Sequence, residues 1–289
     1  MTKAMDKKSP KTPDPRAVYD IAGRVAIVTG GGRGLGRAMS TGLAAAGARI
    51  VLAGRTAADL DETVRTIEAG GGEAIAVKAD VGDYAALPSI VQAAVARFGE
   101  IDILINNAAD PFGALITDIT PEQAERVYRT NVHGPMFLAS QALPYLRASG
   151  RGSVINVISA AVWVGTTGHA LYRGSKAALQ GLSRIMAKEW APAVRVNTLA
   201  PGPFETTYGG GWTEERKAMT IAATPLGRIA PFHEIVPHVL YLASDASAFV
   251  TGTDLVVDGG VTNGPGSPAF AAQRAVQVNA AEGRRSADQ

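Results

Sequence analysis

Thr29-Gly30-Gly31-Gly32-Arg33-Gly34-Leu35-Gly36 closes a short apolar run and leads directly into an alanine-rich stretch of helical character. Glycines here permit a tight turn and a close approach of another group to the main chain. The helix start that follows offers unpaired N–H groups and the positive end of a dipole, the arrangement that cradles a pyrophosphate. A glycine-rich run placed between the first strand and the first helix of an alternating chain therefore predicts nucleotide binding.

Outward from this loop the alternation continues. Residues 24–29, 49–53, 74–79, 101–106, 153–158, 195–199 and 255–258 read as seven short strands separated by long alanine-rich helices. Apolar runs this short and continuous indicate strands covered on both faces, hence an α/β fold with a parallel, doubly wound sheet of about seven strands flanked by helices. The expected organisation is a flexible N-terminal arm (1–20), one dinucleotide-binding catalytic domain (21–261) and a flexible C-terminal tail (262–289).

Composition narrows the chemistry. The chain has 289 residues, 46% of them hydrophobic and none of them cysteine, so disulfides, thiolate metal sites and cysteine nucleophiles are excluded. Its four histidines lack metal-site spacing, and no catalytic metal is expected. The formal charge of +2 resides in the tails: of 28 basic and 26 acidic residues, 20 and 21 remain in the body once residues 1–20 and 262–289 are set aside. A neutral body argues against a nucleic-acid partner. No stretch is long and apolar enough for a membrane span or a signal peptide, and a cytoplasmic location is expected.

Tyr172 and Lys176, in Tyr172-Arg173-Gly174-Ser175-Lys176, stand four apart on a predicted helix, with Ser159 at the end of the preceding strand. Residues at i and i+4 share a helix face, so a phenol and an ammonium would point into one volume. A nearby cation favours phenolate over phenol; moving a tyrosine from ~10 to neutrality requires about 4 kcal/mol of differential stabilisation. A buried lysine, assisted by an oxidised nicotinamide ring, meets that requirement better than an exposed one.

The spacing Gly30-x-x-x-Gly34-x-Gly36, together with Ser159, Tyr172 and Lys176, resembles the classical short-chain dehydrogenase/reductase family. So do Asp80-Val81, Asn106-Asn107-Ala108-Ala109, Asn131 and Pro201-Gly202, in order and separation, between about Gly23 and Val261. The resemblance implies a Rossmann-type fold and hydride transfer between nicotinamide and a carbonyl or secondary alcohol. It implies that Tyr172 is the general acid/base, that Lys176 lowers its pKa and holds the nicotinamide ribose, that Ser159 orients the substrate oxygen, and that Asn131 positions a water in a proton path. Gly30, Gly32, Arg33, Gly34, Leu35 and Gly36 would hold the pyrophosphate. Asp80 and Val81 would border the adenine, Asn107, Ala108 and Ala109 would lie along the cofactor, and Pro201, Gly202 and Thr206 would line the nicotinamide side. Ala109 stands where the family usually has glycine, and Arg173-Gly174 replaces commoner small residues.

An acidic residue at the end of the second strand would grip a free ribose hydroxyl, but the chain has Leu52-Ala53-Gly54-Arg55 there. Arg55, with Arg33, suits a phosphate, so NADP(H) is favoured and NAD(H) is the alternative. Phe112, Trp163, His169, Phe204, Tyr208 and Trp212 flank the motifs and are candidates for an apolar, partly aromatic substrate pocket, under a lid expected over 203–224 with Gly209-Gly210-Gly211 as its hinge. No carboxylate-binding cluster is evident, and a small to medium apolar ketone or alcohol is expected. Two long helices, 120–148 and 169–190, suit subunit pairing; the family resemblance implies a homotetramer or a dimer. Two competing functions are a 3-oxoacyl-thioester (acyl carrier protein) reductase, using Arg126, Arg129, Arg147 and Arg151 to receive the carrier, and a non-catalytic nucleotide-sensing protein. The second would be expected to lack the tyrosine or the lysine.

Overall fold

The computed structural model describes residues 14, 16–165, 167–205 and 213–264. Seven strands, β1 (Val25–Thr29), β2 (Arg49–Gly54), β3 (Glu73–Lys78), β4 (Ile103–Asn106), β5 (Gly152–Val157), β6 (Val194–Pro201) and β7 (Asp254–Val257), form one sheet in the order β3-β2-β1-β4-β5-β6-β7. Every pairing is parallel. Between them run α1 (Gly34–Ala45), α2 (Ala57–Ala69), α3 (Leu87–Phe98), α4 (Pro121–Tyr128), α5 (Gly134–Ala148), α6 (Ala170–Trp190), α7 (Glu214–Ala223) and α8 (Val236–Ala243).

Strand alternation builds two cores. In β1, Ala26 and Val28 join Met39 and Leu43 of α1 and Val239 and Leu242 of α8 on one face. Val25 and Ile27 face the other way, onto Leu87 and Ile90 of α3 and Leu138 of α5. All five β1 residues are buried, which is why the run lacks a polar alternation. Strand order reverses between β1 and β4, opening a crevice at the carboxyl ends of the strands, where dinucleotide sites lie in such sheets.

The long helix expected over 120–148 is interrupted. Thr120 caps α4 by a reciprocal bond with Gln123, and a π-helical turn, Arg129–His133, separates α4 from α5. Pro135 has no N–H to return to the Asn131 carbonyl in α geometry, and a widened turn accommodates that gap. The other long helix begins at Ala170. Expected strands agree with the observed ones to within two residues at each end. Among the described residues no helix is long and apolar enough to cross a membrane.

Candidate active site

Gly30 (φ +66°) and Gly34 (φ +54°) occupy the left-handed region that only glycine adopts without strain. Gly36 is required for a different reason: a Cβ there would overlap the Gly30 carbonyl oxygen and lie 2.7 Å from Nδ2 of Asn107. The turn is fixed from below. Thr29 Oγ1 accepts the N–H groups of Asn107 (2.9 Å) and Ala108 (3.0 Å), and Asn107 Nδ2 donates to the Thr29 carbonyl (2.9 Å). Gly30 N–H donates to Ala53 O (2.7 Å), which joins the loop to the end of β2.

α1 starts at Gly34 with no side chain capping it, and its first helical bond is from Arg37 N–H to Arg33 O. The N–H groups of Gly34, Leu35 and Gly36 therefore meet no acceptor among the described residues, and Gly32 packs behind them against Asp59. This uncapped helix end fits a pyrophosphate. Arg33 directly precedes α1 and Arg55 directly follows β2, both exposed and neither in an ion pair among the described residues. Asp80 is exposed and accepts Gly82 N–H (2.9 Å), while Val81 is buried beneath it. Pro201 ends β6, and Gly202 donates to Val257 O (2.8 Å) so closely to β7 that a Cβ would lie 2.5 Å from Asp258 Cα. Ala109, where a glycine is usual, adopts no positive φ, so its methyl imposes no backbone strain. Thr206 lies outside the described residues.

Two residues beyond β5, Ser159 uses its Oγ to accept Ala161 N–H (3.2 Å), and its hydroxyl is near enough to the Tyr172 phenol to favour the phenolate. Lys176, one turn along α6 from Tyr172, is buried to 2% exposure and donates Nζ to the Val157 carbonyl (2.7 Å). Its ammonium lies 6.0 Å from the Tyr172 ring centroid. Burial pulls the Lys176 pKa down to about 8. The expected lowering of the tyrosine by the lysine is not what the protein alone provides. Burial raises the Tyr172 pKa above its ordinary value, and the groups that oppose the rise are Ser159 and the charge of Arg173. Desolvation outweighs them because the phenol is enclosed while the lysine spends its proton on β5.

Asn131 sits within the π-turn, fully buried. Its Oδ1 accepts Asp110 N–H (2.7 Å), and its Nδ2 donates to Asp110 O (2.9 Å) and to Ser175 Oγ (2.9 Å). Both amide hydrogens are thus committed to protein, leaving one Oδ1 lone pair and the main-chain carbonyl for any water. Ser175 in turn donates to the Tyr172 carbonyl (2.7 Å), so Asn131 braces the first turn of α6. A second buried chain runs from Asn106 to Asn156 (2.8 Å) and on to Ser183 (2.8 Å), tying β4, β5 and α6. Ser175, Asn156 and Ser183 were not singled out as candidates from sequence; polar residues on the buried stripe of a helix or inside an apolar strand were the available signal.

The aromatic candidates separate. Phe112 is half-buried under the Arg126 guanidinium, 5.2 Å from its ring centre. His169 is exposed, next to Gly113, with Nδ1 3.2 Å from Thr167 O, and Trp163 is 43% exposed. Phe204 is displaced from the expected pocket into the core with Ile155, Val157 and Leu199, because the bridge between Phe204 and Ala230 draws the chain down after β6. Tyr208, Trp212 and the expected glycine hinge lie outside the described residues. Among the described residues no group of three or more His, Asp or Glu could hold a metal ion.

A doubly wound sheet, an uncapped helix end behind a glycine turn, and a Ser-Tyr-Lys cluster built around a buried lysine at the same edge define a dinucleotide-binding oxidoreductase. The comparisons agree. The sequence profile described as enoyl-(acyl carrier protein) reductase matches residues 30–262. An uncharacterized oxidoreductase of Methylorubrum extorquens is 39% identical over 246 residues, 83% of this chain and 98% of that one. L-xylulose reductase of Bos taurus is 37% identical over 244 residues, 83% of this chain and 97% of the other. The crystal structure of a putative short-chain alcohol dehydrogenase from Sinorhizobium meliloti superposes with a TM-score of 0.82 at 34% identity, covering 86% of this chain and 100% of that one. The chain belongs to the short-chain dehydrogenase/reductase family and is an oxidoreductase of carbonyl or alcohol substrates that uses NAD(P).

Proposed function

We propose that the protein is an NADP(H)-dependent carbonyl reductase or secondary-alcohol dehydrogenase acting on a small to medium substrate with an apolar body. The observation that carries this reading is the placement of half-buried Ser159 and Tyr172 beside the buried Lys176 at the edge of the sheet that also holds the uncapped end of α1. NADPH, when bound, supplies the hydride. Ser159 hydrogen-bonds the carbonyl oxygen, where negative charge develops, and Tyr172 delivers the proton that completes the alcohol. A half-buried tyrosine held above its ordinary pKa keeps that proton through neutral pH, as reduction requires. In the reverse direction it must lose the proton, and Ser159, the positive charge of Arg173 and that of the oxidised cofactor favour that state. Asn131 keeps the turn carrying Tyr172 in place through Ser175.

NADP(H) is preferred because Arg33 and Arg55 are exposed and free of ion pairs among the described residues, and no acidic side chain ends β2. A homotetramer is supported by exposed apolar residues on α5 and α6, Phe137, Tyr145 and Ile185, and near the sheet edge, Phe249 and Val256. Reception of an acyl carrier protein is disfavoured, since three of the four available arginines are engaged. Arg126 pairs with Asp110, Arg151 pairs with Asp102, and Arg129 stacks on Tyr84. The reading is tested by following NADPH and NADH consumption across a panel of ketones and acetoacetyl thioesters. Reduction of simple ketones with NADPH is expected; turnover confined to thioesters would favour the carrier reaction, and no turnover with any carbonyl would refute the reading.

A further inference from the structure

Among the described residues, three buried side-chain polar atoms lack a hydrogen-bond partner, and two of them, Nε and Nη1, belong to Arg173. A charged donor withheld from water without an acceptor destabilises the fold. Such groups are rare in native proteins and call for an explanation, of which a bound partner is one. Arg173 directly follows Tyr172 in the first turn of α6, so the orphaned group belongs to the turn that carries the reacting phenol.

Its direction follows from α6. Arg173 falls on one helical stripe with Gln180 and Arg184, and both of these bond Asp254 of β7. The stripe therefore faces β7, and because helical side chains lean toward the helix N-terminus, Arg173 leans over the carboxyl edge of the sheet. The acids of that region are occupied. Asp254 is taken by Gln180, Arg184 and Thr198. Asp258 accepts the N–H groups of Gly260 (2.8 Å) and Thr262 (2.7 Å). Asp110 serves Arg126 and the Phe112 N–H. Arg173 as a whole remains partly exposed, so a ligand can meet the open part of its side chain and draw the guanidinium toward it.

We propose that Arg173 is a specificity-determining residue that binds a carboxylate of the substrate, so that the enzyme selects oxo acids, or the corresponding hydroxy acids, whose acid group is separated from the reacting carbon by a short apolar spacer. This deepens the reductase reading and rests on it. An apolar body is compatible with it, since only the far end of the substrate carries charge, and no carboxylate cluster was visible in sequence because one arginine suffices.

The test measures kcat/KM with NADPH for levulinate and its longer homologues, each against its own methyl ester, in the wild type and in Arg173→Gln and Arg173→Lys. The readout is the acid-to-ester ratio, which separates recognition from any effect of Arg173 on Tyr172, since the latter changes both members of a pair alike. A wild-type ratio of on the order of 10 or more at one chain length, collapsing toward unity in Arg173→Gln and partly kept in Arg173→Lys, is expected. A wild-type ratio near unity at every length, or a ratio unchanged in Arg173→Gln, overturns the proposal. An unchanged ratio with a changed oligomeric state would instead assign the guanidinium to contact between copies. Should Arg173→Gln not fold, the drop in ratio for Arg173→Lys decides. Reduction of the esters keeps the reductase reading intact whatever the ratio; failure of every ketone sinks both.

Discussion

The glycine turn after β1 and the Ser-Tyr-Lys cluster after β5 lie at the same edge of one sheet but are built by opposite means. The turn works by what its residues lack. Gly30 and Gly34 supply backbone angles, Gly36 supplies space, and the ligand-facing groups are main-chain N–H. The cluster works by what its residues carry, namely side chains that are buried, polar and held by partners far away in sequence. Asn131 reaches Ser175 across 44 residues and Asn106 reaches Asn156 across 50. A backbone site tolerates no added atoms, whereas a side-chain site tolerates no lost ones.

Three changes would break or sharpen that contrast, in falling order of effect. Gly36→Ala adds one carbon where the Gly30 carbonyl already stands. It should cost about 3 kcal/mol of stability and weaken NADPH binding by more than about tenfold, as measured by urea unfolding and fluorescence titration. Normal binding would show that the turn can shift. Arg55→Asp should move the ratio of kcat/KM for NADPH over NADH by on the order of 100-fold toward NADH, and an unchanged ratio would refute the phosphate role.

Lys176→Met probes the cost of burying a cation. With the folded pKa depressed to about 8, the unfolded chain binds more protons between there and the ordinary lysine value, so wild-type stability rises with pH across that window. At neutral pH the burial therefore opposes folding. The variant should be inactive yet more stable by about 1–2 kcal/mol at pH 7, less than the shift alone implies because it forfeits the bond to Val157, and its advantage should shrink as pH climbs from 8. A stability gain independent of pH would contradict that account.

The fold was legible because strands buried on both faces leave uninterrupted apolar runs, as in β1, and because a glycine turn is a local event. Interruption of the long helix at 129–133 was signalled by Pro135, but a proline at that place is equally compatible with a kink or a second helix start. Ser159, Tyr172, Lys176 and Asn131 stood out in the sequence as candidates; the groups they bond in the folded chain did not. That Asn131 spends both amide hydrogens on Asp110 and Ser175 depends on how α6 packs against the turn, which no local pattern encodes. Phe204 illustrates the same limit, since its neighbours resemble a pocket rim and only the bridge to Ala230 turns it inward. Arg173 was legible as unusual, while its lack of a partner is a property of the packed structure.

The central claim is that the proton transferred in the reaction belongs to Tyr172 and that cofactor binding does not depend on it. Tyr172→Phe, measured in parallel for NADPH affinity and for ketone reduction, tests both halves of that claim at once. Affinity within about twofold of wild type and a loss of kcat of on the order of 1000-fold or more are predicted. Substantial remaining turnover would contradict the account and assign the proton to another group.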